Sequence, residues 1–251
     1  MDRDSARTIK RLHPELVAAL TEAADYTSPP GAETFESSTY HFTQSSQEDL
    51  RDDFPQVKGV CALTFDDGPH PVGTEMLLEV LEAAQIKATF FLLGKEVSRN
   101  KILCRRLVEM GHELGAHGWI HVSPRKMTSE EIFESLEKTV REIRNVTGYE
   151  CRFTRPCFGL FTPSFELAAS RLELTAVGWH LSSQDWAASS LRELKIALAV
   201  GQVNGKVILF HDGAGNPALN TPVIQWLADC FTQGNIKAVT MSEFVTLAEG
   251  S

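Results

Sequence analysis

From Lys58 onward, short apolar runs alternate with segments of helical period, and this alternation constrains the fold more than any other feature. The runs are 60–65 (VCALTF), 88–93 (ATFFLL), 112–118 (HELGAHG), 151–156 (CRFTRP), 174–181 (LTAVGWHL), 206–212 (KVILFHD) and 236–240 (IKAVT). Between them lie helical stretches such as TEMLLEVLEAAQ, KILCRRLVEMG stopped at Gly111, and a helix opening at Ser129 and stopping at Gly148. A strand reaches a parallel neighbour only through a long crossover, usually a helix. Seven such β/α units predict a closed or nearly closed parallel barrel rather than an open sheet.

A barrel of this kind presents its chemistry at the C-terminal ends of its strands. Polar residues cluster at those ends: Asp66 and Asp67 after the first strand, His117 after the third, Arg155 after the fourth, Asp185 after the fifth, and His211 with Asp212 after the sixth. Two adjacent aspartates point to opposite faces of a strand, but just past its end both can converge. Like charges placed together are costly unless a cation or a proton offsets them. His117 and His121 have HxxxH spacing, which on a helical turn aims two imidazoles the same way. Two histidines and one carboxylate make a catalytic metal set with positions left for water, and Asp67 is the expected carboxylate ligand. His112 reads as a histidine beside a core strand. Singly, the others have plainer readings: Arg155 as a solvated charge, Trp186 as core, His211-Asp212 as a helix cap.

Residues 1–57 differ from the rest. Leu12, Leu16, Leu20 and Ala23 predict one amphipathic helix over 6–25, followed by a polar arm containing Pro29-Pro30-Gly31. The chain divides at 57/58 into this extension and a catalytic domain, 58–251. A net charge of −9 disfavours nucleic acid as partner. The five cysteines, Cys61, Cys104, Cys151, Cys157 and Cys230, form no CxxC and no disulfide framework. The charged N-terminus lacks an apolar signal region and no 18-residue apolar run exists, so the expected location is the cytoplasm.

Five motifs in order then carry a family resemblance: TFDDGP at 64–69, HGWIH at 117–121, RPCFG at 155–159, SSQDW at 182–186 and LFH at 209–211. Over about residues 58–245 the chain resembles the polysaccharide deacetylases of carbohydrate esterase family 4, which share the NodB homology domain. The resemblance implies a distorted (β/α)7 barrel. It implies Asp66 as general base and Asp67, His117 and His121 as ligands of a divalent metal, usually zinc, with cobalt or nickel tolerated. It further implies Arg155 positioning the base, the Phe158 amide as oxyanion donor, His211 as general acid tuned by Asp185, Trp186 as a wall beside it, and Leu209 lining the acetyl pocket. The implied partner is an acetylated carbohydrate such as a chitooligosaccharide.

Three positions depart from the family pattern. Gly118 stands where Ser or Thr is usual, Cys157 where a second proline is usual, and Ser182 where Asp is usual. A glycine at 118 removes one loop hydrogen bond, worth about 1 kcal/mol. Cys157 is expected to be partly exposed beside the site. Rival readings are O-deacetylation of an acetylxylan-like substrate and a carbohydrate-binding pseudoenzyme. A phosphohydrolase is disfavoured, since neither DxD spacing nor a glycine-rich phosphate loop is present.

Overall fold

A computed structural model describes residues 57–201 and 203–249. The helix expected over 6–25 and the polar arm lie outside the described residues.

The core of the fold is a curled, all-parallel sheet wrapped by helices. In chain order the elements are β1 (Val60–Asp66), α1 (Gly73–Ala83), β2 (Thr89–Leu92), α2 (Gly94–Arg99), α3 (Lys101–Glu109), β3 (Glu113–Ala116), α4 (Ser129–Thr147), β4 (Phe153–Thr154) and α5 (Pro163–Arg171). They continue with β5 (Thr175–Ala176), β6 (Leu181–Ser182), α6 (Leu191–Gly201), β7 (Val207–His211), α7 (Pro217–Gly234), β8 (Lys237–Val239) and α8 (Met241–Glu249). The sheet order is β5-β4-β3-β2-β1-β7-β6. β8 pairs with the first half of β1, on the flank that β2 occupies further along.

Strand alternation sorts the side chains into two layers. Cys61, Leu63 and Phe65 of β1 and Ile208 and Phe210 of β7 pack outward against α1, α3 and α7, with Leu78, Leu107 and Leu227. Ala62, Phe91, Phe153, Val177, Val207 and Phe244 fill the interior. Residues 64 and 66 of β1 and 209 and 211 of β7 share that inner face. Both layers of β1 are covered, which is why it reads as an unbroken apolar run. α4 starts at a capping box, Thr128 with Glu131, one residue before the predicted start, and ends at Gly148 in the left-handed region (φ 75°).

One predicted strand is corrected. Residues 174–181 do not form a single strand. β5 pairs with β4 on one edge of the sheet and β6 pairs with β7 on the other. The segment 177–180 therefore crosses between the two edges, and the sheet holds eight strands rather than seven. No β5–β6 ladder closes the barrel among the described residues. Instead the buried Arg155 guanidinium donates to the crossing carbonyls, Nε to Val177 at 3.3 Å and Nη2 to Gly178 at 2.7 Å. Those carbonyls would otherwise be buried without partners, a cost of about 1–3 kcal/mol each. Among the described residues no helix is long and apolar enough to cross a membrane.

Candidate active site

The end of β1 behaves as the paired aspartates required. Asp66 is the last strand residue and faces inward. Asp67 follows in the left-handed region at φ 78°, which turns its side chain back toward the same point. Asp66 Oδ2 lies 3.8 Å and Asp67 Oδ1 3.4 Å from His117 Nε2, so the two carboxylates do converge. Asp67 Oδ1 also lies 3.4 Å from His121 Nε2.

His117 continues β3 and is 2 % exposed. Its Nδ1 stands 2.8 Å from the Arg155 carbonyl. A carbonyl only accepts, so Nδ1 carries a proton, and in the neutral form of the ring Nε2 turns a lone pair on Asp67. Burial opposes a second proton, but Cys157, Asp66 and Asp67 raise the pKa well above its ordinary value, so this position draws positive charge. Asp67 Oδ1 is buried and has no hydrogen-bond donor. Two acceptors thus face each other across 3.4 Å, which demands a cation or an additional proton between them. Two donors each about 2.1 Å from a tetrahedral ion stand about 3.4 Å apart, so the residues fit a metal. Burial pushes the Asp67 carboxyl up, but His117, His121 and His211 outweigh it and hold the group below its ordinary value. His117, His121 and Cys157 also bring donor atoms within 4.8 Å of one another. The Cys157 thiol, however, donates to the His117 carbonyl at 3.1 Å. Asp67, with an oxygen that nothing else satisfies, is the better third ligand.

The HxxxH pair is not on a helical turn, contrary to expectation. Residues 117–121 form an irregular loop, with Gly118 at φ 89°. Gly118 is suited to that conformation, which other residues rarely adopt.

Arg155 is fully buried, not solvated. Its Nη1 donates to Asp66 Oδ1 and to Thr64 Oγ1, both at 2.8 Å, and its plane lies 4.1 Å from the Phe91 ring centre. One guanidinium thus fixes Asp66 and bridges the open side of the barrel.

His211 ends β7 beside Asp66 in register. Its Nδ1 is 2.8 Å from Asp185 Oδ1, and its backbone amide donates to Asp185 Oδ2 at 2.8 Å. Burial works against a charge on His211, but Asp185, with Asp66 and Asp67 behind it, raises its pKa above the ordinary value. Asp185 also accepts from Ser183 Oγ at 3.0 Å and from Asn220 Nδ2 at 2.8 Å. Asn220 was not foreseen. It occupies an inward position of α7 together with Val223, Ile224 and Leu227. An asparagine at an apolar-period position was the signal that marked it.

The remaining residues sit around this centre. Trp186 is 52 % exposed, so it is not core, and its ring lies edge-on 5.0 Å from the His211 ring. Phe158 is 55 % exposed, in the left-handed region at φ 61°, with its ring 4.4 Å from His121. The turn around it is bonded through the Gly159 and Leu160 amides, leaving the Phe158 amide out of those bonds. Leu209 is buried on the same face of β7 as His211. Ser182 ends β6 and accepts from the Gln184 amide. Cys157 is 4 % exposed, which corrects the expectation of a partly exposed thiol; it packs under the loop because its S–H satisfies the His117 carbonyl. Asp212 does not cap a helix. It is buried, accepts from the Thr74 hydroxyl, and is pushed up to about 7 by burial first and then by the Asp67 and Asp66 charges, against the Thr74 bond. α7 is capped instead by Asn216.

Comparison with known proteins gives the same reading. The polysaccharide deacetylase family model matches residues 54–177. The peptidoglycan-N-acetylglucosamine deacetylase PgdA of Listeria monocytogenes is 32 % identical over 151 residues, 60 % of this chain and 32 % of PgdA. The chain therefore spans about a third of that relative's length. A chitooligosaccharide deacetylase of Bradyrhizobium is 30 % identical over 167 residues, 65 % of this chain and 76 % of that enzyme. A family 4 carbohydrate esterase from Streptomyces lividans superposes with a TM-score of 0.66, at 28 % identity, over 72 % of this chain and 91 % of that one. With its curled parallel barrel and its ordered motifs at the strand ends, the chain belongs to the polysaccharide deacetylases of carbohydrate esterase family 4.

Proposed function

We propose that the chain is a metal-dependent hydrolase that removes N-acetyl groups from an N-acetylglucosamine-containing carbohydrate. The observation that carries this reading is the orphaned Asp67 oxygen between two imidazoles, with Asp66–Arg155 on one side and His211–Asp185 on the other. Asp67, His117 and His121 would hold the ion, and the nitrogen–oxygen donor set favours zinc. When bound, such an ion supplies Lewis acidity toward water and the acyl carbonyl.

The chain's own groups carry the proton movements. Asp66, held through Oδ1 by Arg155, keeps Oδ2 available to take a proton from the attacking water as its oxygen bonds to the carbonyl carbon. The Phe158 amide donates to the developing oxyanion. The carbon–nitrogen bond then breaks, and His211, protonated on both ring nitrogens, gives its Nε2 proton to the departing amine. Asp185 holds the Nδ1 proton and keeps the ring oriented. Acetate and a free amine result.

The substrate class rests on the relatives, which are named as deacetylases of peptidoglycan N-acetylglucosamine and of chitooligosaccharides. The test is acetate release by the zinc-loaded chain from chitooligosaccharides, peptidoglycan fragments and acetylxylan. Release from the amide substrates is expected. Preference for acetylxylan would make the chain an O-deacetylase. Binding of the oligosaccharides without release from any of them would make it a pseudoenzyme.

A further inference from the structure

The loop between the two histidines is fixed unevenly, and the unevenness falls on the second of them. His117 is tied at both ends of its backbone: its amide donates to Leu92 and its carbonyl accepts from Cys157. The Gly118 and Trp119 carbonyls accept from the first two amides of α2, Gly94 and Lys95, each at 3.0 Å. The Trp119 amide donates to Ser135 Oγ of α4 at 2.8 Å. The Trp119 ring lies against Gly94 on one side, and Lys138 Nζ stands 3.7 Å from its centre. After Trp119 comes Ile120, 46 % exposed, and then His121, whose side chain is 35 % exposed. Behind the loop is an apolar pocket lined by Gly118, Ile120, Val122, Met127, Leu136 and Phe165.

We propose that Ser135 is a positioning residue for the metal: by holding the Trp119 amide, it sets where His121 stands relative to His117 and Asp67. This inference rests on the metal reading above. The loop is not helical, so no helical hydrogen bond maintains the spacing of the two imidazoles. Three backbone groups bound to α2 and α4 do so in its place, and the Ser135 hydroxyl is the one contributed by a side chain. Without it the Trp119 amide loses its acceptor and the indole can leave its slot over Gly94, and the next backbone bond, from the Val122 amide to the Ile120 carbonyl at 2.9 Å, lies within the loop itself and ties it to neither helix. Gly94 gives an independent handle on the same slot. A Cβ there would lie 2.4 Å from Trp119 Cε3 and 2.8 Å from Thr139 Oγ1, so the indole would have to move.

The experiment measures zinc affinity of the full chain by competition with a chromophoric chelator, together with the visible spectrum of the cobalt-loaded protein and the melting temperature of the metal-free protein. Removing a residue that orients a ligand typically costs about 10–100-fold in metal affinity, and that loss, with an altered cobalt spectrum, is expected for Ser135→Ala. Ser135→Thr keeps the hydroxyl and has the pocket beside it for the methyl group, so it should bind as wild type does. Gly94→Ala should weaken zinc binding in the same way and decides the question alone if Ser135→Ala does not fold. Wild-type affinity and spectrum in Ser135→Ala, or in Gly94→Ala where Ser135→Ala does not fold, even with a lowered melting temperature, would make Ser135 merely structural and overturn the inference. Failure of the wild type itself to bind zinc would overturn the proposed function, and this inference with it.

Discussion

The two ends of the barrel each bury a carboxylate, and they treat it in opposite ways. At the N-terminal end, Glu113 of β3 is 5 % exposed. Its Oε2 accepts from Thr89 Oγ1 at 2.9 Å and from the Ser242 amide at 3.0 Å, and its Oε1 accepts from Ser242 Oγ at 2.5 Å. Neutral donors satisfy the group, and it ties β2, β3 and the start of α8 together. At the C-terminal end, Asp67 Oδ1 is buried with no donor at all and has imidazole nitrogens on two sides. A buried charge survives when it is fully hydrogen-bonded or when it meets a cation. Glu113 takes the first route and reads as a structural bolt. In the proposed function Asp67 takes the second, as a ligand. What distinguishes structure from function here is the state of the partners, not the depth of burial.

The largest effect that could break this contrast lies beside Asp67. Asp66→Asn keeps shape and should leave metal content unchanged, while turnover falls by about 10²–10⁴. Wild-type turnover in that variant, measured with zinc saturating, would remove Asp66 from the base role.

A smaller effect concerns His211. Its raised pKa keeps the ring protonated to higher pH, so amide hydrolysis should fall off only as pH rises through that raised value. The pair with Asp185 likewise stabilises the fold fully below the unfolded value of about 6.5 and loses that contribution as pH passes the folded one. Asp185→Asn removes the supporting charge, so the alkaline limb of kcat/KM should move to lower pH. An unmoved limb would mean that another group governs it. His211→Ala should harm amide hydrolysis more than hydrolysis of an activated aryl acetate, whose leaving group needs no proton; equal losses would remove the acid assignment.

The smallest effect sharpens the contrast from the other end. Glu113→Gln should lower stability by about 1–3 kcal/mol, since an amide has one acceptor oxygen and cannot keep all three of these accepted bonds. Zinc affinity and turnover should not change. A loss of zinc binding in that variant, with the fold intact, would undo the division between the two ends.

Much of this arrangement was legible in the residues because strand ends in a parallel barrel converge. TFDDGP, HGWIH, RPCFG, SSQDW and LFH mark five of those ends, and their polar residues do meet at one centre. What was not legible depended on backbone that apolar pattern does not encode. LTAVGWHL is apolar enough for one strand, yet it crosses between sheet edges, with Arg155 at the end of β4 satisfying the Val177 and Gly178 carbonyls. HxxxH fits a helical turn, but Gly118 at φ 89° and the bonds from α2 hold an irregular loop. Cys157 sits at a strand end and still is buried, because its thiol bonds the His117 carbonyl. Asn220 needed the course of α7 before its place beside Asp185 could be seen.

The role proposed for this site turns on whether the unsatisfied Asp67 oxygen ligates a metal. The most direct measurement is zinc stoichiometry by elemental analysis of the wild type, Asp67→Asn and Glu113→Gln, each stripped with chelator, reloaded and desalted. Asparagine tolerates the left-handed conformation that Asp67 adopts, so that variant removes charge without forcing the backbone. About one equivalent is expected in the wild type and in Glu113→Gln, and far less than one in Asp67→Asn. Full occupancy in Asp67→Asn would contradict that role.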